Sequence, residues 1–461
     1  MDVHPAKDEI GDLSRAFSSM VRQLERLVYF DPLTGPPNRL MFMNRLKGGL
    51  SEDSSGQERF ALLYVDLDRF KNINDSLGHA AGDSLLQAFA SRISLQLGDS
   101  GTAFRLGGDE FAVLIPQVRS FQELGELCGR LTQELSLPYQ VEGNEMYVTA
   151  SIGISMYPQD TENKATLIQF ADMAMYRAKE LGSNNYQFFH PEMNEKVLEK
   201  LELEGKLRRA LEHGELELRY QPQIDLQSGR IHGVEALLRW NQPELGFVSP
   251  ARFIPLAEET GLIVPIGNWV LLEACRQNKN WQQSGLPPIR VSVNLSVLQF
   301  QQKDLVEAIR MTLEETGLDA KYLELEITES VAMFNEASVI HTLGELKRLG
   351  LYLSIDDFGT GYSSFSYLKK LPVDSLKVDQ TFIRDIAEEN EDAAIVSAMV
   401  TLAHSLQMTV VAEGVELEEQ LKLCRAWKCD VAQGYLFSPA VKAGDIVNWL
   451  TRERTGAALN E

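Results

Sequence analysis

The sequence predicts an α/β protein of at least two domains, a sheet-and-helix domain followed by a (β/α)8 barrel. Three observations point there. An apolar run at Phe60–Val65 ends in acids and is followed by an amphipathic helix and a Gly-Gly turn between two β-rich runs. Beyond Gly214, short apolar strands alternate with helices. Six of those strands end on a polar residue at a near-regular interval. A chain of 461 residues leaves room for two to four domains, at roughly 100–200 residues each.

Composition narrows the function. Lys and Arg number 44 against 66 Asp and Glu, a net charge of −22, so the chain's own field repels long nucleic acids and anionic membranes. Hydrophobic residues at 44% and charged residues at 24% fit a globular protein and exclude wholesale disorder. No apolar run reaches the length of a membrane span, and Met1-Asp2 opens no secretory signal. The four cysteines are too few for a disulfide framework. These features predict a soluble, cytoplasmic chain.

Ile10, Leu13, Phe17, Met20, Leu24 and Leu27 follow the 3-4 spacing of a helix-pairing seam. The alternative is one amphipathic helix lying on the next domain. Asp8 to Leu13, with Phe17 and Met20, resembles the end of the second helix of a HAMP signalling domain. That resemblance implies a longer natural protein, anchored in the bacterial inner membrane by an upstream segment.

In the first half, the strand at residues 60–65 runs into Asp66-Leu67-Asp68, and carboxylates there are costly unless they meet a partner or a metal. After Gly82-Asp83, the residues Leu86, Phe89, Ile93 and Leu97 mark a one-faced helix. Phe104 to Ile115 reads as a hairpin through Gly107-Gly108, with Asp109 and Glu110 at its tip beside glycines that let a phosphate approach the backbone. Asp66 and this tip together suit Mg²⁺. A Gly-Gly turn alone would more simply carry solvated acids. The surroundings reverse that, because Asp31-Pro-Leu-Thr-Gly35, Asn38-Arg39, Asp66-Leu-Asp68, Phe70-Lys71, Asn74-Asp75, Gly78-His79, Gly82-Asp83 and Gly107–Phe111 resemble the GGDEF diguanylate cyclases in order and spacing.

The resemblance implies a cyclase-like α/β sandwich with an antiparallel-rich sheet. Two GTP-loaded domains of this kind face each other and make cyclic di-GMP. It implies that Asp66, the Leu67 carbonyl and Glu110 hold metal, and that Asp109 is a ligand or base. Asn74 and Asp83 would read guanine, and Lys71 and Lys179 would meet phosphates. Two departures stand out. Ser183 replaces the family's usual basic residue, which weakens the expected triphosphate grip. Gly98-Asp99-Ser100-Gly101 replaces the family's product-inhibition motif, so feedback there is not expected.

Pro191 to Gly214 reads as one long helix, a spacer with Met193, Val197, Leu201 and Leu207 or Leu211 at near-helical spacing. Beyond it, the predicted strands are 231–234, 289–293, 322–327, 352–355, 375–378 and 409–412. Their polar ends are Glu235, Asn294, Glu326, Asp356, Lys377 and Glu413, separated by 59, 32, 30, 21 and 36 residues. One barrel unit takes roughly 30 residues, so the first gap is two units wide and the six converge on one rim. Any one of them alone would be an ordinary solvated strand end. Together, Glu235, Asn294, Glu326 and Asp356 suit Mg²⁺ or Mn²⁺, and Asp356-Asp357 suggests a bridged second ion of the kind that cleaves phosphodiesters. Lys377 is placed to orient water. The seven histidines show no metal-ligand spacing.

Tyr220-Gln221-Pro222, Glu235-Ala-Leu237, Arg239-Trp240, Asn294-Leu-Ser296, Glu326-Ile-Thr-Glu329, Asp356 to Ser364, Lys377-Val-Asp379, Glu413 to Glu416 and Gln433-Gly-Tyr435 resemble the EAL phosphodiesterases from about residue 200 to 450. The resemblance implies hydrolysis of cyclic di-GMP to pGpG. Glu235, Asn294, Glu326 and Asp356 would hold the first metal and Asp357 the second. Lys377 and Glu413 would handle the nucleophilic water, with Gln433 and Glu416 beside the site. Gln221 and Arg239 would contact substrate, and Glu329 would brace the loop after Asp357 that couples dimerisation to activity.

The expected organisation is a signalling helix at 1–27, the GGDEF domain at 28–189, a linker helix at 190–214, the EAL barrel at 215–451 and a polar tail at 452–461. The expected function is a cyclic di-GMP hydrolase whose first domain binds GTP and either activates it or makes cyclic di-GMP, working as a homodimer. A net cyclase and a non-catalytic nucleotide receptor are the alternatives.

Overall fold

The computed structural model describes residues 9–48, 59–118, 120–141, 143–332, 336–359, 368–384 and 390–454. It divides into two compact units, Met1–Glu199 and Lys200–Glu461.

The first unit is built on five strands: β1 (Phe60–Leu67), β2 (Thr102–Gly107), β3 (Glu110–Pro116), β6 (Ala150–Tyr157) and β7 (Tyr186–Phe188). A two-stranded hairpin, β4 (Tyr139–Val141) and β5 (Asn144–Met146), stands apart. The sheet order is β2-β3-β1-β6-β7, and all neighbours are antiparallel except β6–β7. Every residue of β1 is buried, as an unbroken apolar run requires when both faces of a central strand are covered. Its alternate residues serve opposite cores. Ala61, Leu63 and Val65 join Leu85, Phe89 and Ile93, while Phe60 and Leu62 join Phe104, Leu167 and Met175. The helix Lys164–Glu180 presses so closely on β6 that a Cβ at Gly153 would lie 1.9 Å from the Ala171 carbonyl oxygen.

Three expectations in this unit are adjusted. The helix placed after Gly82-Asp83 begins earlier and spans His79–Leu97. This start lets Gly82 sit against the Asn74 side chain, where a Cβ would be 2.0 Å from Oδ1. The N-terminal helix, Glu9–Tyr29, does not bury its seam on the domain, because Phe17, Met20, Leu24 and Leu27 are 51%, 58%, 49% and 71% exposed. Asp8 and the side chains of Ile10 and Leu13, which carry the HAMP resemblance, lie outside the described residues. The helix beginning at Pro191 ends at Ala210 rather than Gly214, since residues 211–214 form a turn closed by Gly214 at φ 65°. Its buried apolar face is Leu203, Leu207 and Ala210, whereas Leu201 is 60% exposed.

The second unit is an eight-stranded barrel. Its strands are β8 (Leu216–Asp225), β9 (Ile231–Gln242), β11 (Arg290–Leu295), β12 (Leu323–Thr328), β13 (Tyr352–Phe358), β14 (Ser375–Val378), β15 (Thr409–Ala412) and β16 (Val431–Ala432). A short β10 (Gly246–Val248) pairs with the outer end of β9. From β9 to β16 the barrel strands are parallel neighbours, and β8 closes the ring antiparallel to both β9 and β16. The wide interval from Glu235 to Asn294 therefore hides no barrel strand. β9 and β11 are direct neighbours, and β10 with helices Pro250–Glu259 and Ile263–Gln283 fills the crossover. The barrel strands absent from the prediction are β8, before the interval, and the two-residue β16 after the last predicted strand. At the far end, the helix Ala443–Arg454 takes in Arg452, which had been assigned to the tail; residues 455–461 lie outside the described residues. No described helix is long and apolar enough to cross a membrane.

Candidate active site

The C-terminal ends of the parallel strands gather the predicted rim residues around one ammonium group. Lys377, 1% exposed at the middle of β14, places Nζ 2.6 Å from Glu413 Oε1, 2.9 Å from Glu326 Oε2, 3.2 Å from Asp356 Oδ1 and 3.7 Å from Glu235 Oε2. Glu235 also accepts from Asn294 Nδ2 and Gln433 Nε2, both at 2.6 Å. Gln433 Nε2 reaches Gln221 Oε1 at 3.1 Å, and Gln221 donates to the Ser438 carbonyl. Burial opposes the Lys377 charge, yet Asp356, Glu235, Glu326 and Glu413 hold its pKa well above the ordinary lysine value. Burial also drives Glu326 well above the usual carboxylate range, with Glu235 and Asp356 adding to the rise. Glu235 goes the other way, because Lys377, Gln433 and Asn294 outweigh its burial.

Successive residues of a strand point to opposite faces, so Asp356 and Asp357 would not normally share a site. Asp357 adopts φ 53°, and the β13–β14 register shifts between Ile355 and Phe358. That irregularity brings carboxylate oxygens of Asp356, Asp357 and Glu413 within 4.8 Å of one another. Burial, then Asp356 and Asp379, push Asp357 up to about 6; burial pushes Glu413 up to about 8.

The donor set fits a hard divalent cation. It offers only oxygens apart from Lys377, and Glu326 Oε1 is buried with no hydrogen-bond partner. A carboxyl raised to about 8 stabilises the metal-free fold below pH 4.5 and loses that contribution as pH rises through 8. Metal binding must expel the proton. Titrating Mn²⁺ into metal-stripped protein at pH 7 is therefore expected to release protons, since Glu326 and Glu413 are both raised, read from calorimetric heats in buffers of different ionisation enthalpy, and affinity should climb with pH. Buffer-independent heats would contradict this.

A cleft of about 270 Å³ opens on these groups, lined by Gln221, Glu235, Asp356, Asp357, Glu413, Glu416 and Gln433, and also by Leu237, Asp379, Gln380 and Tyr435. Arg239 is not in that lining; its Nη1 donates to the Leu238 carbonyl. Asp379 has no role in the reading from sequence. It is 8% exposed, accepts from the Thr381 backbone, and faces Asp357. Its position two residues after a strand-end lysine was the available signal. Glu329 accepts from the Gly359 backbone N–H at 3.1 Å, while residues 360–367 lie outside the described residues.

In the first unit, Glu110 opens β3 directly opposite Asp66 at the end of β1. Lys179 lies on Asp66, Nζ to Oδ1 2.6 Å, rather than standing free for a phosphate. Burial raises Asp66 to about 6 against that ion pair, with Asp109 and Asp68 adding to the rise. Leu67 is buried as the last residue of β1, and Lys71 and Asp83 are exposed. Asn74 meets Gly82, one residue before Asp83. Three supports had no assigned role. Arg105 bridges Asp31 (2.9 Å) and the Gly108 carbonyl (2.8 Å), tying the turn to the start of the domain. Asp68 accepts from Thr149, Ser151 and the Asn184 N–H, anchoring the loop that carries Ser183. Tyr64 bonds Glu110, and burial together with that carboxylate pushes its phenol far up.

Comparison with known families defines the class of protein. Residues 204–440 match the EAL domain model, and residues 28–185 match the diguanylate cyclase, GGDEF domain model. The chain belongs to the EAL family and carries a GGDEF domain in tandem ahead of the EAL barrel. It is similar to the bifunctional diguanylate cyclase/cyclic di-GMP phosphodiesterase MucR of Pseudomonas aeruginosa, with 43% identity over 94% of this chain and 63% of that protein. The cyclic di-GMP phosphodiesterase NbdA of the same organism is 41% identical over 97% of this chain and 57% of that protein. The chain thus spans less than two thirds of the length of these relatives. The solved PaMucR phosphodiesterase, in its c-di-GMP complex, is 46% identical with a TM-score of 0.52, covering 53% of this chain and 99% of that one.

Proposed function

We propose that the barrel hydrolyses cyclic di-GMP to linear pGpG, and that the first unit binds GTP and either activates the hydrolase or joins two GTP into cyclic di-GMP. The observation that carries the reading is Lys377 surrounded by Glu235, Glu326, Asp356 and Glu413 on one barrel rim, with Asp357 alongside. Glu235, Asn294, Glu326 and Asp356 would hold one divalent cation and Asp357 a second. Mg²⁺ or Mn²⁺ there supplies charge neutralisation and acidifies water. A water oxygen attacks phosphorus and the bond from phosphorus to the 3′ oxygen breaks, giving a 5′-phosphate and a 3′-hydroxyl. Glu413 Oε1 takes the water's proton, since burial poises its carboxyl near neutrality. Lys377 orients that water and neutralises phosphate charge. Gln221 and Arg239 contact substrate, and Gln433 and Glu416 hold the cleft wall.

In the same reading, Asp66, the Leu67 carbonyl and Glu110 take Mg²⁺ with GTP, Asp109 assists the attack, and Gly107-Gly108 admit the phosphates. Asn74 and Asp83 read guanine. The exposed Phe17–Leu27 seam supports a homodimer, working on the cytoplasmic side of the membrane with an anchor upstream in the full-length protein. Asp109→Ala is expected to abolish both cyclic di-GMP synthesis and any stimulation of hydrolysis by GTP, followed by chromatography of the nucleotides. Unchanged stimulation would remove Asp109 from the GTP site.

A further inference from the structure

The layer beneath the rim departs from ordinary barrel packing, where bulky branched side chains fill the interior. Alternate residues share a strand face, so two residues before Asn294, Glu326, Asp356 and Lys377 stand Ser292, Glu324, Ser354 and Ser375. They are 0%, 3%, 0% and 1% exposed. Gly233 takes the same place below Glu235. One carboxylate, three hydroxyls and a glycine thus stand in most of this layer, with the apolar Val411 in the same place below Glu413. Ser375 Oγ donates to Glu324 Oε1 at 3.4 Å, and the hydroxyls of Ser354 and Ser292 also face that carboxylate. One further layer down, Arg290 Nη1 is 3.6 Å from Glu324 Oε2. Its guanidinium lies 3.7 Å over the Tyr352 ring, and Nη2 is 2.7 Å from His232 Nε2.

A buried ion pair is a poor route to stability compared with apolar packing, so Glu324 calls for another explanation. Lys377 supplies one. Burial pushes the Glu324 carboxyl up, and the charges of Arg290 and then Lys377 oppose that rise. Glu324 stands one layer below the rim and outside the lining of the cleft.

We infer that Glu324 is a positioning residue, a carboxylate braced by Arg290 that balances the Lys377 ammonium from below the rim. It keeps Lys377 seated when Glu235, Glu326 and Asp356 turn to a divalent cation. The inference rests on the hydrolase reading of the rim. A dication among those carboxylates weakens their hold on Lys377 and sets two positive charges side by side. A negative charge on the far side of the ammonium offsets that repulsion, and in the interior such charges act over several ångströms.

The test uses the full chain as Glu324→Gln, Glu324→Asp and the double variant Arg290→Gln/Glu324→Gln, which leaves no unpaired guanidinium. Three quantities are read: Mn²⁺ affinity of metal-stripped protein by calorimetry, kcat and KM for cyclic di-GMP, and Tm. Glu324→Gln and the double variant are expected to bind Mn²⁺ at least about ten-fold more weakly and to lose at least about ten-fold in kcat. KM should stay within about three-fold, and Glu324→Asp should recover most of both losses. Should Glu324→Gln fail to fold, the double variant carries the comparison. Parent-like Mn²⁺ affinity and kcat in the double variant would overturn the inference and leave Glu324 a structural partner of Arg290. If the parent makes no pGpG, the hydrolase reading fails by itself, and the Mn²⁺ arm still decides on Glu324.

Discussion

Lys377→Met is expected to abolish cyclic di-GMP hydrolysis, by roughly a thousand-fold or more, and to destabilise the metal-free protein by about 3–5 kcal/mol. Both effects come from one position. The ammonium has four carboxylates within 4 Å and almost no solvent, so its removal leaves Glu235, Glu326, Asp356 and Glu413 facing one another without a counter-charge. Protonation relieves part of that repulsion, which makes the deficit larger at pH 8 than at pH 5. A divalent cation can replace the missing charge but not the water-orienting role proposed for Lys377. Urea unfolding in EDTA should therefore show the full deficit, and saturating Mn²⁺ should recover much of it while activity stays lost. A Lys377→Met protein as stable as the parent in EDTA would contradict the geometry of the rim.

Glu235→Ala is the second large effect. Glu235 accepts from Asn294 and Gln433 at 2.6 Å each, and its pKa is held below the usual value. Truncation would remove a proposed metal ligand and orphan one buried amide donor, that of Gln433, at about 1–3 kcal/mol, while the exposed Asn294 can turn to water. Hydrolysis is expected to fall by roughly a thousand-fold, with Mn²⁺ affinity falling alongside it. Retention of full pGpG formation would refute the assignment of the metal site.

Much of the rim was legible in sequence because a polar residue at a strand's C-terminal end is local information. The interval between Glu326 and Asp356 already implies neighbouring barrel strands, and β12 and β13 are neighbours. β8 escaped detection for local reasons too. Leu216–Asp225 mixes polar and apolar residues and contains Pro222, which ordinarily demotes a strand. The interval after Glu235 was misread because its crossover holds two helices and a short strand instead of one unit. The helix from Pro191 was drawn four residues too long because Gly214 ends the turn after the helix rather than the helix itself. The centring of Lys377 could not be read at all, since four of its partners lie on four different strands. Nor could the sharing of a site by Asp356 and Asp357, which depends on a left-handed residue that nothing nearby in the sequence announces.

The central claim is that the rim is a metal-dependent phosphodiesterase site for cyclic di-GMP. Its most direct test follows cyclic di-GMP by chromatography with purified full chain in Mn²⁺, with and without GTP, beside an EDTA control. The account predicts conversion to pGpG in Mn²⁺, none in EDTA, and none for Glu235→Ala under any condition. Absence of pGpG from the parent with and without GTP, or equal turnover in EDTA, would contradict it.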